Sequence, residues 1–187
     1  MTARDTEGAG APSGSVSSTP QLEAVPRLSH VGATGEARMV DVSGKAETVR
    51  TARAAGTIRM AVSTLAAIRE NRLAKGDVIA VARVAGVMGA KRTAGLIPLC
   101  HPLPLTDVQV EVVEDRALPG LRVEVTVRTV GRTGVEMEAL TGVSVTLLTL
   151  FDMVKGLDSD LLLSNISVLS KTGGKTSSHN DSGHGTP

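Results

Sequence analysis

One stretch restricts the fold more than any other: residues 133–155, TGVEMEALTGVSVTLLTLFDMVK. It keeps a helical period throughout. At about 100° and about 1.5 Å per residue, Leu140, Val143, Leu147, Phe151 and Val154 fall on one wholly apolar stripe. The opposite stripe, Glu138, Gly142, Val145, Thr149 and Asp152, is small in the middle and charged at both ends, and Lys155 lies one turn past Asp152. The apolar stripe predicts a face laid on a core. Amphipathicity alone makes the charged ends solvated.

What that face packs on is narrowed by composition. The chain of 187 residues has one Phe, no Trp and no Tyr, so the core is built from Val, Leu, Ile, Met and Ala. The same shortage argues against a single-strand nucleic-acid binder, which stacks bases on aromatic rings. Lys and Arg total 20 against 19 Asp and Glu, leaving no global field for a polyanion; a local cluster can still hold a small anion. The single Cys100 excludes an internal disulfide and a cysteine-based zinc cluster. No apolar run reaches the ~18 residues that span a membrane. The N-terminus carries Asp5 and Glu7 and no apolar signal core, so a cytoplasmic protein without a membrane partner is expected.

Residues 1–26 are rich in Gly, Ser, Ala, Pro and Thr without periodicity and read as a disordered extension; residues 176–187, TSSHNDSGHGTP, read likewise as a tail. The single domain is then 27–175. His179 and His184 fall in the tail, leaving His30 and His101 for a built site. Residues 32–44 read as a loop. Imperfect alternation over 46–60 predicts a strand. Ser63 is the expected cap of a short helix to about residue 72, with Leu65 and Ile68 inward. Gly76 ends that unit and Asp77 caps a second helix over 77–94. That helix carries Ala82, Ala85, Gly86, Gly89 and Ala90, which predicts close packing on a helix, a sheet or a neighbouring subunit. Three prolines in 96–104, LIPLCHPLP, forbid regular structure. Residues 108–113 and 121–127 alternate around Pro119–Gly120 and predict an antiparallel pair. A last strand is expected at 161–169. The order of elements predicts an α+β fold of ferredoxin-like type, an antiparallel sheet with helices packed on one face.

The candidate chemistry is sparse. His101 sits in a proline-stiffened loop, a setting more typical of a site than of a core. Cys100 beside it reads as a small buried hydrophobe. Glu136, Glu138, Asp152 and His101 show no HxH, HxxxH or HExxH spacing, so no metal site is expected. Lys75, Lys91, Lys155, Lys171 and Lys175 each read alone as solvated charges, but lie at helix junctions or beside glycines. KTGGK lacks the first glycine and following helix of a Walker A loop, yet a Gly-rich turn with two lysines can hold a phosphate. Carboxylates, lysines and one histidine suit acid–base work on an anionic small molecule.

Six motifs then occur in a fixed order: MVDVSGKAETVR from Met39, KGDV from Lys75, AKRT from Ala90, LIPLCHP from Leu96, TGVEMEALTGVSVTLLTLFDM from Thr133 and KTGGK from Lys171. In these the chain resembles the cyclic pyranopterin monophosphate synthases of molybdenum cofactor biosynthesis, over roughly residues 28–176. The resemblance implies a phosphorus–oxygen lyase. It would convert (8S)-3',8-cyclo-7,8-dihydroguanosine 5'-triphosphate, the product of a radical SAM enzyme, to cyclic pyranopterin monophosphate with release of pyrophosphate. It implies Asp152 and Lys75 as catalytic residues and Leu99, Cys100, His101, Met137 and Glu138 as substrate contacts, with Lys91, Glu136, Lys155 and Lys171 as further charged pocket positions. It implies no resident cofactor, the substrate triphosphate being able to bring magnesium. It also implies a homohexamer, a trimer of dimers, with pockets at subunit contacts. The alternative is a non-catalytic nucleotide-binding module of the same fold, its lysines clamping phosphate. Glu138 and Asp152 lie about 21 Å apart along one helix. One compact pocket can hardly use both from the same chain unless the helix begins after Glu138 or the substrate is long; a pocket shared between two chains, each contributing one, resolves this.

Overall fold

The structure is a computed structural model that describes residues 35–179, apart from 74, 116, 175 and 176. The extension at 1–26, His30, Lys175 and His184 lie outside the described residues.

Strand β1 (Thr48–Arg59) opens the fold. Helices α1 (Val62–Arg69), α2 (Val78–Lys91) and the single turn α3 (Thr93–Leu96) follow. Strands β2 (Leu105–Glu114) and β3 (Gly120–Gly131) form a hairpin. Helix α4 (Glu136–Val154) leads into β4 (Leu162–Thr172) and a two-residue β5 (Ser178–His179). The sheet order is β2-β3-β1-β4-β5, with every neighbouring pair antiparallel. The four long strands with α2 and α4 on one face are the ferredoxin-like α+β arrangement expected. β5 pairs Ser178 and His179 with Lys171 and Ser170, inside the stretch read as tail.

Alternation makes the two sheet faces different. Ala52, Ala54 and Ile58 of β1 and Val123, Val125 and Val127 of β3 are buried beneath the helices. Arg53, Arg122 and Glu124 lie on the other face and pair with one another. Val143, Leu147 and Val154 of the apolar stripe of α4 are fully buried, and Phe151 is partly so. Gly56 lets α4 settle onto β1: a Cβ there would lie 2.8 Å from a Leu147 methyl and 2.9 Å from one of Val143.

The small-residue face of α2 finds its partner within the chain. A Cβ on Gly86 would collide with the Thr146 hydroxyl and lie 3.2 Å from the Gly142 carbonyl; one on Gly89 would lie 2.7 Å from a Val145 methyl. Small residues on two helices thus bring α2 and α4 nearly backbone to backbone. The stripe of α4 that sequence reads as polar-ended is therefore covered at its middle, leaving its ends to differ.

Three expectations change. Ser63 is not the cap of α1; the N-cap position is Ala61, which has no capping side chain. The predicted helix at 77–94 breaks at Arg92 into α2 and α3, although Asp77 caps α2 as expected, accepting the Ala80 amide at 2.9 Å. Finally, α4 is long and apolar enough to cross a membrane by length and composition, contrary to the reading that no segment is. In this fold it is the central core helix, buried against the sheet and α2.

Candidate active site

Apart from Lys91, the described residues singled out in the sequence gather at the two ends of α4. The helix is continuous from Glu136 to Val154, so the option that it starts after Glu138 is closed. Glu138 and Asp152 stay about 21 Å apart along the axis.

At the N-terminal end two neighbouring cavities share Thr133, Gly134 and Glu136. The smaller, about 270 Å³, is lined by Leu99, Cys100, His101, Leu103, Met137 and Glu138. The proline-rich segment at 97–104 brings Cys100 and His101 here, held by a turn in which the Cys100 amide donates to the Ile97 carbonyl. Glu138 is buried, at 4% exposure. Burial pushes its carboxyl above the ordinary range against a hydrogen bond from its own amide, and the charge of Glu136 pushes the same way. Burial also raises the Cys100 thiol, with the charge of Glu138 adding to it, which disfavours the thiolate.

The larger cavity, about 520 Å³, contains Lys45, Arg50, Arg132, Glu136 and Lys171 beside the Gly173–Gly174 turn. Lys171 reaches Glu136 at 2.9 Å. Arg50 donates to the carbonyls of Gly131 and Arg132, and Arg132 donates to Ser43 and faces Glu47 at 3.5 Å. Gly173 and Gly174 have φ of 91° and 81°, the left-handed region that glycine adopts without a Cβ clash. Sequence reasoning did not single out Lys45, Arg50 or Arg132. Lys45 and Arg50 lie inside the MVDVSGKAETVR motif, where their charge was the available signal. Arg132 joins them because β1 pairs with β3.

At the C-terminal end, Asp152 is flanked by two ammonium groups. Lys155 reaches Oδ1 at 2.8 Å. Lys75 faces Oδ2 at 3.7 Å and donates to the Asp152 carbonyl at 2.7 Å. The hydrogen bond and charge of Lys155, then the charge of Lys75, hold the Asp152 carboxyl below the usual carboxylate range. All three side chains are exposed, and exposed pairs of this kind add little stability.

Lys91 joins neither group. It ends α2, is exposed and lines neither cavity. Among the described residues, no group of three or more His, Cys, Asp or Glu is arranged to hold a metal ion.

Fold and site together define a ferredoxin-like α+β enzyme whose ionisable groups suit acid–base chemistry on a small anion. The MoaC family model matches residues 39–174. The chain is 59% identical over 149 residues to the cyclic pyranopterin monophosphate synthase of Dinoroseobacter shibae, covering 80% of this chain and 94% of that one. It is 57% identical over 150 residues to the synthase of that name from Brucella ovis, covering 80% and 91%. It is 54% identical over 149 residues to that from Nostoc sp., covering 80% and 89%. The chain belongs to the MoaC family.

Proposed function

We propose that this protein is a cyclic pyranopterin monophosphate synthase, a lyase of molybdenum cofactor biosynthesis. Its substrate is (8S)-3',8-cyclo-7,8-dihydroguanosine 5'-triphosphate, supplied by a radical SAM enzyme. Membership of the family across residues 39–174 carries this reading.

The chemistry matches the two ends of α4. Opening the purine ring and rebuilding it as a pterin moves protons on and off nitrogen and carbon. A carboxylate in contact with two ammonium groups can accept and deliver those protons, so Asp152 is assigned to this work with Lys75 and Lys155. Closing the cyclic phosphate forms an oxygen bond to the inner phosphorus and breaks that phosphorus from its bridging oxygen. Pyrophosphate leaves with the growing charge. Lys45, Arg50, Arg132 and Lys171 in the larger cavity are suited to offset it. Magnesium carried by the triphosphate would enter with the substrate. Glu138, biased towards its protonated form, suits a hydrogen bond to the guanine-derived edge beside Leu99, Cys100, His101 and Met137. Lys91 stands apart from both groups in the single chain.

About 21 Å of helix separates the two ends of α4, too far for one compact pocket of a single chain. We place the pocket at a contact between subunits of a homohexamer, a trimer of dimers, with one end supplied by each of two chains. A cytoplasmic location follows from the substrate's source. Incubation with the cyclised dihydro-GTP tests the reading: pyrophosphate and cyclic pyranopterin monophosphate should both form. Binding without pyrophosphate release would instead make the protein a nucleotide-binding module.

A further inference from the structure

The Asp152 cluster is anchored by a residue outside it. Helix α1 starts at Ala61 with no cap of its own, and its missing acceptor comes from a site 97 residues away. Oδ2 of Asp158 accepts the Ala61 amide at 2.6 Å, and Oδ1 accepts the Asp160 amide at 2.9 Å. The Thr64 hydroxyl and the charge of Arg59 also favour the ionised carboxylate, after the two amides. Asp158 is 9% exposed, and these partners hold its carboxyl below the ordinary range. One carboxylate thereby ties the turn after α4 to the first turn of α1.

Both tied segments carry the cluster. Lys155 lies three residues before Asp158 in the same turn. Helix α1 leads into the loop that holds Lys75 against Asp152. Elsewhere α1 is held by buried Thr64, Leu65 and Ile68 and by the exposed Arg69–Glu114 pair at its far end. Removing the Asp158 tie frees the start of α1, and the loop beyond it loses a fixed support.

We propose that Asp158 is a positioning residue that keeps Lys75 on Asp152 by fastening α1 to the turn after α4. The proposal rests on the acid–base roles given above to Asp152 and Lys75. The groups facing Asp152 are Lys155 from its own helix and Lys75 from the loop before α2.

The test uses the full chain with Asp158→Ala and, independently, Ala61→Pro. Proline suits the Ala61 φ of −64° and removes the amide that Asp158 accepts. The measurements are kcat and KM from pyrophosphate release, the carbon-13 titration of the Asp152 carboxyl, and the melting temperature. Both variants should lower kcat about ten- to a hundredfold with little change in KM, as misplacement of a reacting group does. The Asp152 midpoint should rise towards the ordinary carboxylate value, since Lys155 alone remains beside it, and the acid limb of kcat should rise with it. An Asp152 midpoint and kcat equal to the parent's in a folded variant, with only a lower melting temperature, would reduce Asp158 to a helix cap and overturn the proposal. Failure of the parent to release pyrophosphate would strike the proposed function instead. The Asp152 midpoint would still report whether Lys75 had moved.

Discussion

The two ends of α4 are made of similar parts put to opposite use. Glu138 is buried at the N-terminal end, and its carboxyl is pushed up. Asp152 is exposed at the other end between two lysines, and its carboxyl is pulled down. One helix thus carries two carboxyls whose environments shift them in opposite directions. The lesson is that residue type alone does not assign the role: α2 covers the middle of the stripe, and the cover ends before Asp152.

The sharpest way to break this comparison is at the exposed end. Asp152→Asn and Lys75→Ala should each lower pyrophosphate release by about a hundred- to ten-thousandfold. Melting temperatures should stay near the parent's, because exposed ion pairs contribute little to folding. Near-parental turnover by either variant would remove the assignment.

The relation between the ends can be tested by complementation. Glu138→Gln and Asp152→Asn chains, each weak alone, should regain about one quarter of the parental activity when co-assembled at equal amounts. In a symmetric assembly that is the share of sites drawing an intact residue from each chain. No recovery would place both residues in one chain's own site.

The middle of the helix offers a smaller effect. Gly86→Ala drives a methyl into Thr146 and should cost about 1–3 kcal/mol of stability, as overpacking does. Chemical denaturation would show it as a lower midpoint with an unchanged slope.

The smallest effect has the most specific sign. Glu138 has a folded pKa above its unfolded value of 4.5, so its charge opposes folding as pH rises through that interval. Glu138→Gln should therefore melt higher than the parent at pH 7. The gain should vanish below the unfolded pKa, where both side chains are neutral. An equal gain at every pH would point to packing instead of charge.

Much of this was readable from local pattern. The period of α4, the Asp77 cap of α2, the hairpin at Pro119–Gly120 and the small face of α2 are all written within a few residues of where they act. The site was partly readable for the same reason, since the lysines and carboxylates stand at helix ends. What was not legible depends on pairs far apart in the chain. The cap of α1 is Asp158, which no window around Ser63 contains. Lys45 and Arg50 meet Arg132 only through the register of β1 on β3. The burial of Glu138, which pushes its carboxyl up, depends on the fold around the first turn of α4 rather than on its neighbours in sequence.

The core described above is aliphatic, with Phe151 as the chain's single phenylalanine. With no Trp and no Tyr, the protein is almost transparent in the near-ultraviolet band where those side chains absorb. A heteroaromatic ligand entering this molecule would therefore supply nearly all of the near-ultraviolet signal. The enzyme is its own optical blank, and binding and ring conversion can be followed directly, without labels.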